Sequence, residues 1–409
     1  MASITFEEAL ASVLPAVRIQ GTRVVSLPDA VGEILAKDVA ADRNIPPFPR
    51  AAMDGFAVVW TGKENDAPYR VIGTVNPGTD WAGEANPTDC IRVMTGAMVP
   101  APFDSVIPVE QSEAGPGGSV RFLSPAERGR NIAEEGEDAL RGAVLVPAGT
   151  LLSPHHVPAL ASAGQWEVPV YRRPSICVLA TGGELLEPWE EVQGPMIRNT
   201  NAHFLLAALA RLGFSEVGYL GIVPDDRERV LGKIREGLSC DFLVISGGVS
   251  VGEVDIVPEC LAACGVRKIL HKIAVKPGKP IFAGASPGGG VVVGLPGNPV
   301  AVLVHFHMFL RPLLLKASGA AEYLPEPILL PLAREAVNRS GGKKFSVARL
   351  ERSEGRTLVV EIPSRGSGDF VSASRADGVF EIPLGVSHLP PGEIVRFYPI
   401  WGNFLSHEG

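Results

Sequence analysis

The pattern of apolar and polar positions divides the chain into three zones, each with its own rhythm. Residues 1 to about 172 mix a short helix, Thr5 to Val17 with Thr5 as its cap, with short β-type runs at Phe56–Trp60, Tyr69–Thr74, Cys90–Met94 and Ser105–Glu110. Ile45-Pro46-Pro47-Phe48-Pro49 must be extended, because proline fixes φ and restricts its predecessor. Pro154–Ala163 fits a second helix, ended by Gly164. Pro169 to Pro174 reads as a linker. Beyond it, buried strands alternate with helices, the mark of an α/β unit with a parallel sheet. The strands are Ser175–Ala180, Val217–Val223, Phe242–Ser246, Ile269–Val275 and Val291–Gly294; the helices are Thr200–Leu212, Arg227–Leu238, Pro258–Ala263 and Pro299–Lys316. After a second linker, Glu322 to Pro327, five β-type runs (Ile328–Ala333, Phe345–Arg349, Thr357–Ile362, Val379–Ile382, Ile394–Ile400) predict a small barrel or sandwich.

Composition narrows the class. At 409 residues, with 46% hydrophobic and 20% charged side chains, the chain has apolar material for several cores. Its 46 Gly and 36 Pro follow no collagen period and mark many turns. The net charge of −8 gives no chain-wide basic footprint for nucleic acid. Pro280–Leu310 carries no Asp, Glu, Lys or Arg, but four prolines and six glycines interrupt it. It reads as a buried strand, a turn and a core helix, not a membrane span. Glu7 and Glu8 stand where a signal peptide would be basic and then apolar. The five cysteines, Cys90, Cys177, Cys240, Cys260 and Cys264, show no zinc-site spacing, which predicts reduced, mostly buried thiols in a cytoplasmic protein.

The chemistry-bearing residues gather in the α/β zone. Three glycine-rich turns follow strands: Thr181-Gly182-Gly183-Glu184, Ser246-Gly247-Gly248-Val249-Ser250 and Leu295-Pro296-Gly297-Asn298-Pro299. Ligands of open α/β sheets sit beyond the carboxyl ends of strands, and glycine lets backbone N–H groups approach an anion. Lys272 and Lys276, placed on one strand, would share a face roughly 13 Å apart, and Lys279 follows a Pro-Gly turn. In an acidic protein, lysines beside glycine turns suit phosphate or another oxyanion. Asp225 fits either a helix cap in Asp225-Asp226-Arg227-Glu228 or a site carboxylate, and Asp255 is open to the same two readings. Together with Glu184 they could hold Mg²⁺, which prefers oxygen ligands. Upstream, Asp54 lies in a proline-led turn and Thr95 beside Gly96. His155-His156, His305 and His307 read as structural.

In order, Pro49-Arg50-Ala51-Ala52-Met53-Asp54-Gly55-Phe56-Ala57, Val93-Met94-Thr95-Gly96-Ala97, Gly136-Glu137-Asp138, Thr181-Gly182-Gly183-Glu184-Leu185, Ser246 to Asp255, Lys272 to Pro280 and Gly294 to Val300 resemble the molybdopterin molybdenumtransferases, the family of MoeA and the gephyrin E domain. The resemblance spans nearly the whole chain. It implies an N-terminal composite region (1–172, with an inserted mainly-β part at about 45–146), a three-layer molybdopterin-binding α/β domain (173–322) and a C-terminal β-barrel (323–409). It further implies insertion of molybdate into adenylylated molybdopterin with release of AMP, in a cytoplasmic homodimer whose sites are shared between subunits. Molybdopterin adenylyltransferase and apo-molybdoenzymes are the partners it suggests, with neither nucleic acid nor membrane. By motif, Asp54, Thr95, Glu184, Asp225, Asp255, Lys272, Lys276, Pro296 and Pro299 fall on functional positions: acids for Mg²⁺ or the adenylyl bond, lysines for phosphate and molybdate, prolines for the shape of the site. Gly247, Gly248, Ser250, Lys279 and Gly297 join them as ligand-binding positions.

Three residues depart from the family pattern. Ala51 replaces its Ser, Gly183 its Asp and Ala133 its Arg, for which Arg128 or Arg130 would be the substitute. Two other readings share the α/β turns or the assembly: a molybdopterin adenylyltransferase or nucleotide hydrolase, and a non-catalytic dimeric scaffold. Retention of the Lys, Asp and Glu set disfavours the scaffold.

Overall fold

The computed structural model describes residues 4–62, 67–249, 256–363, 366 and 368–400. The first helix, Phe6–Val13, starts where Thr5 accepts a hydrogen bond from the Glu8 N–H and Glu8 accepts one from the Thr5 N–H, so two otherwise orphaned donors are satisfied. Its buried face is Phe6, Ala9, Leu10 and Val13. A six-stranded sheet follows, ordered Ser105–Pro108, Gly55–Val58, Asp89–Val93, Tyr69–Val75, Ser119–Phe122 and Ser112–Ala114. The first half of the expected linker from Pro169 to Pro174 is in fact strand: Glu167–Tyr171 pairs antiparallel with Thr22–Ser26, and its alternating Val168 and Val170 are buried. The second helix forms where expected, a 3₁₀ turn at Pro154–His156 running into Val157–Ser162.

The central sheet is ordered Val217–Val223, Ile176–Thr181, Phe242–Ser246, Val291–Leu295, Phe282–Ala285 and Arg267–His271. The first four strands are parallel; Phe282–Ala285 runs antiparallel to both its neighbours. The sequence pattern does not mark that strand, because it is only four residues long, carries Ala283, Gly284 and Ala285, and lacks the β-branched residues that mark Val291–Leu295. Helices Thr200–Arg211, Arg227–Gly237 and Val257–Ala263 accompany the sheet. The core helix spans Pro299–Ala317, with a π-turn at Phe306–Leu310. It is long and apolar enough to cross a membrane, but 78% of its most apolar stretch is buried inside the protein.

The expected reduced thiols need correction at one pair. Cys177, on the first parallel strand, and Cys240, just before its neighbour, form a disulfide across 63 residues, with Cα atoms 5.9 Å apart. Strand pairing makes them adjacent, and sequence spacing does not reveal that. Cys90, Cys260 and Cys264 are free, and burial pushes the Cys90 thiol up to about 12.

The C-terminal sheet joins Lys343–Ser353, Gly378–Ile382, Ile394–Pro399 and Ile328–Pro331, with Arg356–Glu361 on the other side of the first. Its outermost strand comes from the central unit: Val275–Lys276 pairs parallel with Lys343–Lys344. One hydrophobic core accordingly runs through the first helix, the central sheet, the core helix and the barrel. Phe6 meets Phe309 at 6.2 Å and Phe345 at 5.2 Å, both edge-on. Above this contact Lys343 reaches Glu7 of the first helix and Glu381 of the barrel, at 2.7 Å from the latter.

His305 and His307 are buried in the core helix, and burial holds them down to about 4 and about 3. In the unfolded chain a histidine takes up its proton near pH 6.5. Between that pH and 4 the unfolded state binds protons that the folded state refuses, so stability falls as pH falls. The expected loss is about 3 kcal/mol per histidine at pH 4. Urea unfolding at pH 7 and pH 4 should show a smaller drop in His307→Phe than in the parent.

Candidate active site

The chain leaves strand Ile176–Thr181 to form Val217–Val223 on one side and then Phe242–Ser246 on the other. That reversal opens a crevice at the carboxyl ends of the strands, where open α/β sheets bind ligands. A cavity of about 940 Å³ lies there, lined by Thr181, Gly182, Glu184, Asp225, Gly247, Gly248, Pro296, Gly297 and Pro299 among others. The Gly247–Gly248 turn packs tightly on the first strand. A Cβ at Gly247 would lie 2.5 Å from the Thr181 carbonyl oxygen, one at Gly248 2.6 Å from Thr181 Oγ1, and both residues have positive φ. Only glycine fits so close an approach. Thr181 Oγ1 itself is buried without a hydrogen-bond partner among the described residues.

Asp225 does not cap the following helix. Asp226 does, in extended conformation, accepting from the Arg229 N–H at 2.9 Å. The Asp-Asp pair offers two candidate caps in sequence, and backbone geometry selects the second. Asp225 is left at the cavity, exposed, and forms no ion pair with the described residues; the same holds for Glu184. Two carboxylates at one cavity are hard oxygen donors that fit Mg²⁺. Among the described residues no group of three or more His, Cys, Asp or Glu side chains forms a metal site. Ser250 and Asp255 lie outside the described residues.

The lysines are arranged otherwise than expected. Strand Arg267–His271 ends before Lys272, which takes a positive φ of 74° and donates its N–H to the Ile281 carbonyl. Lys272 and Lys276 therefore share no strand face. Lys276 and Lys279 line a second cavity of about 1070 Å³, together with Arg334, Lys344 and Ser340 of the C-terminal unit. Lys344 is paired with Glu361 at 2.8 Å, while Lys276, Lys279 and Arg334 form no ion pair among the described residues. The two cavities meet along consecutive residues: Lys279 and Val300 line one, Pro280 and Pro299 the other. Between the lysines, Gly278 accepts a hydrogen bond from His305 Nε2 at 2.8 Å, so the buried histidine anchors the Lys-Pro-Gly-Lys loop.

Asp54 and Thr95 are brought together in the N-terminal sheet. Asp54 Oδ1 accepts from the Thr95 N–H and hydroxyl, each at 2.7 Å, and these bonds hold its carboxyl below the ordinary aspartate value. Neither residue lines either of these two cavities. Ala51 and Ala133 lie on one short ladder, Ala51 opposite Ile132 and Ala133 opposite Arg50, with Ala51 fully buried. Arg128 and Arg130 are engaged elsewhere, by Asp104 and Glu127. Sequence reasoning missed Asn201, whose Nδ2 donates to the Gly297 carbonyl at 2.7 Å and ties the Pro-Gly-Asn turn to the helix Thr200–Arg211. It also missed Phe370, which lines the first cavity from the C-terminal unit.

Residues 4–164 match the MoeA N-terminal region (domain I and II), 177–316 a probable molybdopterin binding domain, and 330–400 the MoeA C-terminal region (domain IV). A molybdopterin molybdenumtransferase of Bacillus subtilis is 31% identical over 92% of this chain and 89% of its own length. One from Haemophilus influenzae is 35% identical over 79% of each. A crystal structure of the molybdopterin biosynthesis MoeA protein of Pyrococcus horikoshii superposes with a TM-score of 0.82 at 29% identity, covering 97% of this chain and all of that one.

Proposed function

This chain belongs to the MoeA family of molybdopterin molybdenumtransferases, and from that premise we propose that its crevice inserts molybdate into adenylylated molybdopterin, releasing AMP. Work in molybdenum cofactor biosynthesis follows from the membership itself. The finer chemistry rests above all on one observation: Glu184 and Asp225 stand without ion-pair partners among the described residues, in the cavity that the Gly247–Gly248 turn also lines. The glycine turn presents backbone N–H groups to the substrate phosphates. Mg²⁺ held by the carboxylates would neutralise phosphate charge as the adenylyl bond is hydrolysed. Water adds to the adenylyl phosphorus, AMP departs with the new oxygen, and the molybdopterin phosphate keeps the bridging one. Lys276 and Lys279, in the adjoining cavity, attract molybdate. The dithiolene sulfurs that take the metal belong to the substrate. The decisive assay supplies adenylylated molybdopterin, Mg²⁺ and molybdate: AMP release with activation of an apo-molybdoenzyme is expected, and no release would overturn the reading.

The same proposal makes the enzyme a cytoplasmic homodimer with shared sites. Asp54 and Thr95 line neither of the two cavities in their own chain, and a two-fold partner would bring them to the other subunit's crevice. Asp54→Ala and Lys276→Ala subunits, each inactive alone, should regain about a quarter of wild-type activity after random exchange, because a mixed dimer holds one intact site. No recovery despite proven exchange would place both residues in one subunit's site.

A further inference from the structure

The crevice is lined by two chemically different sets of residues. One is polar, formed by the glycine turns and the carboxylates of Glu184 and Asp225. The other is apolar: Leu185, Val192, Met196 and Ile197 from the excursion after the first strand, and Phe370 from the C-terminal unit. Three of these side chains are large and exposed, Val192 at 41%, Ile197 at 54% and Phe370 at 49%. Exposed apolar groups gathered on one concave surface mark a ligand wall.

Both parts of the wall are held in place. Asp369 accepts from the Ser372 N–H and hydroxyl at 3.1 and 2.8 Å, fixing the short helix Phe370–Ala373, whose last residue is buried in the common core. The excursion is anchored by Glu187, which accepts from the Tyr219 hydroxyl at 2.6 Å and pairs with His203 at 2.9 Å. An aromatic ring on a fixed element loses little entropy on stacking.

We propose that this wall seats a planar heteroaromatic ring of the substrate, with Phe370 stacked on the ring face. This rests on the functional reading above, under which the substrate carries two such rings, adenine and pterin. A ring on the apolar wall leaves the phosphates for the polar one, and it makes the C-terminal unit part of the substrate site.

Calorimetric titration of the full chain with three probes tests the proposal: AMP, nucleotide-free molybdopterin, and ribose 5-phosphate, which has no ring to stack. Phe370→Ala should weaken binding of one ring ligand about tenfold, the scale of one lost stacking contact, and leave ribose 5-phosphate unchanged. Phe370→Tyr should restore the affinity. The affected probe identifies the ring: AMP for adenine, molybdopterin for pterin. Unchanged binding of both ring ligands, or equal weakening of all three probes, would overturn the stacking role. Failure of the wild-type chain to bind either ring ligand would instead overturn the reading of the crevice, and the wall with it.

Discussion

Asp225→Asn is expected to slow AMP release by about 10²–10³-fold, the usual scale for removing one preorganised charged group, while the unfolding midpoint stays where it is. The helix after Asp225 does not depend on it, because Asp226 makes the capping bond to the Arg229 N–H. Asp226→Ala should do the reverse, costing about 1 kcal/mol of stability and leaving turnover nearly intact. Measuring both variants by AMP release and by urea unfolding separates chemistry from capping. Loss of stability in Asp225→Asn, or full activity, would remove Asp225 from the site.

Gly278→Ala should destabilise the protein by about 3 kcal/mol, from a left-handed backbone forced on alanine and from overpacking. Gly278 has φ +88°, and a Cβ there would lie 2.3 Å from His305 Nε2 and 3.1 Å from Ala301 Cβ. The histidine cannot yield, since it sits on the core helix and donates to the carbonyl of Gly278 itself. The loop carrying Lys276 and Lys279 would have to move, so oxyanion affinity should fall with stability. Gly297→Ala is the control: nothing lies within 4 Å of its added Cβ, and its φ is not in the left-handed region. Its stability should stay within about 0.5 kcal/mol of the parent.

Local signals predicted local structure well. The Thr5 cap and the strand segments Ile176–Thr181, Val217–Val223, Phe242–Ser246 and Val291–Leu295 rest on local pattern, and they appear as read to within a residue or so. What the sequence could not carry was decided by backbone conformation or by distant pairing. Lys272 looks like a strand residue until its positive φ breaks the strand. Asp225 and Asp226 are equivalent as letters; only the extended conformation of Asp226 makes it the cap. Val275–Lys276 finds its partner strand 68 residues away, and Cys177 finds Cys240 across 63 residues. Phe370 follows a run of small residues that reads as loop, and its place beside the crevice depends on how the C-terminal unit docks.

The strand shared between the central unit and the barrel bears on how this chain can be cut. A truncation at the Glu322–Pro327 segment would not detach a self-contained module. It would strip Val275–Lys276 of the strand it pairs with, expose the Phe6 edge that rests on Phe345, and leave Glu7 without Lys343. An unpaired strand edge beside freshly bared aromatics is a template for aggregation. Fragments made for crystallisation or for partner mapping should therefore break elsewhere. Limited proteolysis of the intact chain at this segment should give a nicked species whose two pieces stay together under native conditions, like a clasp whose hinge has been cut while its catch still holds.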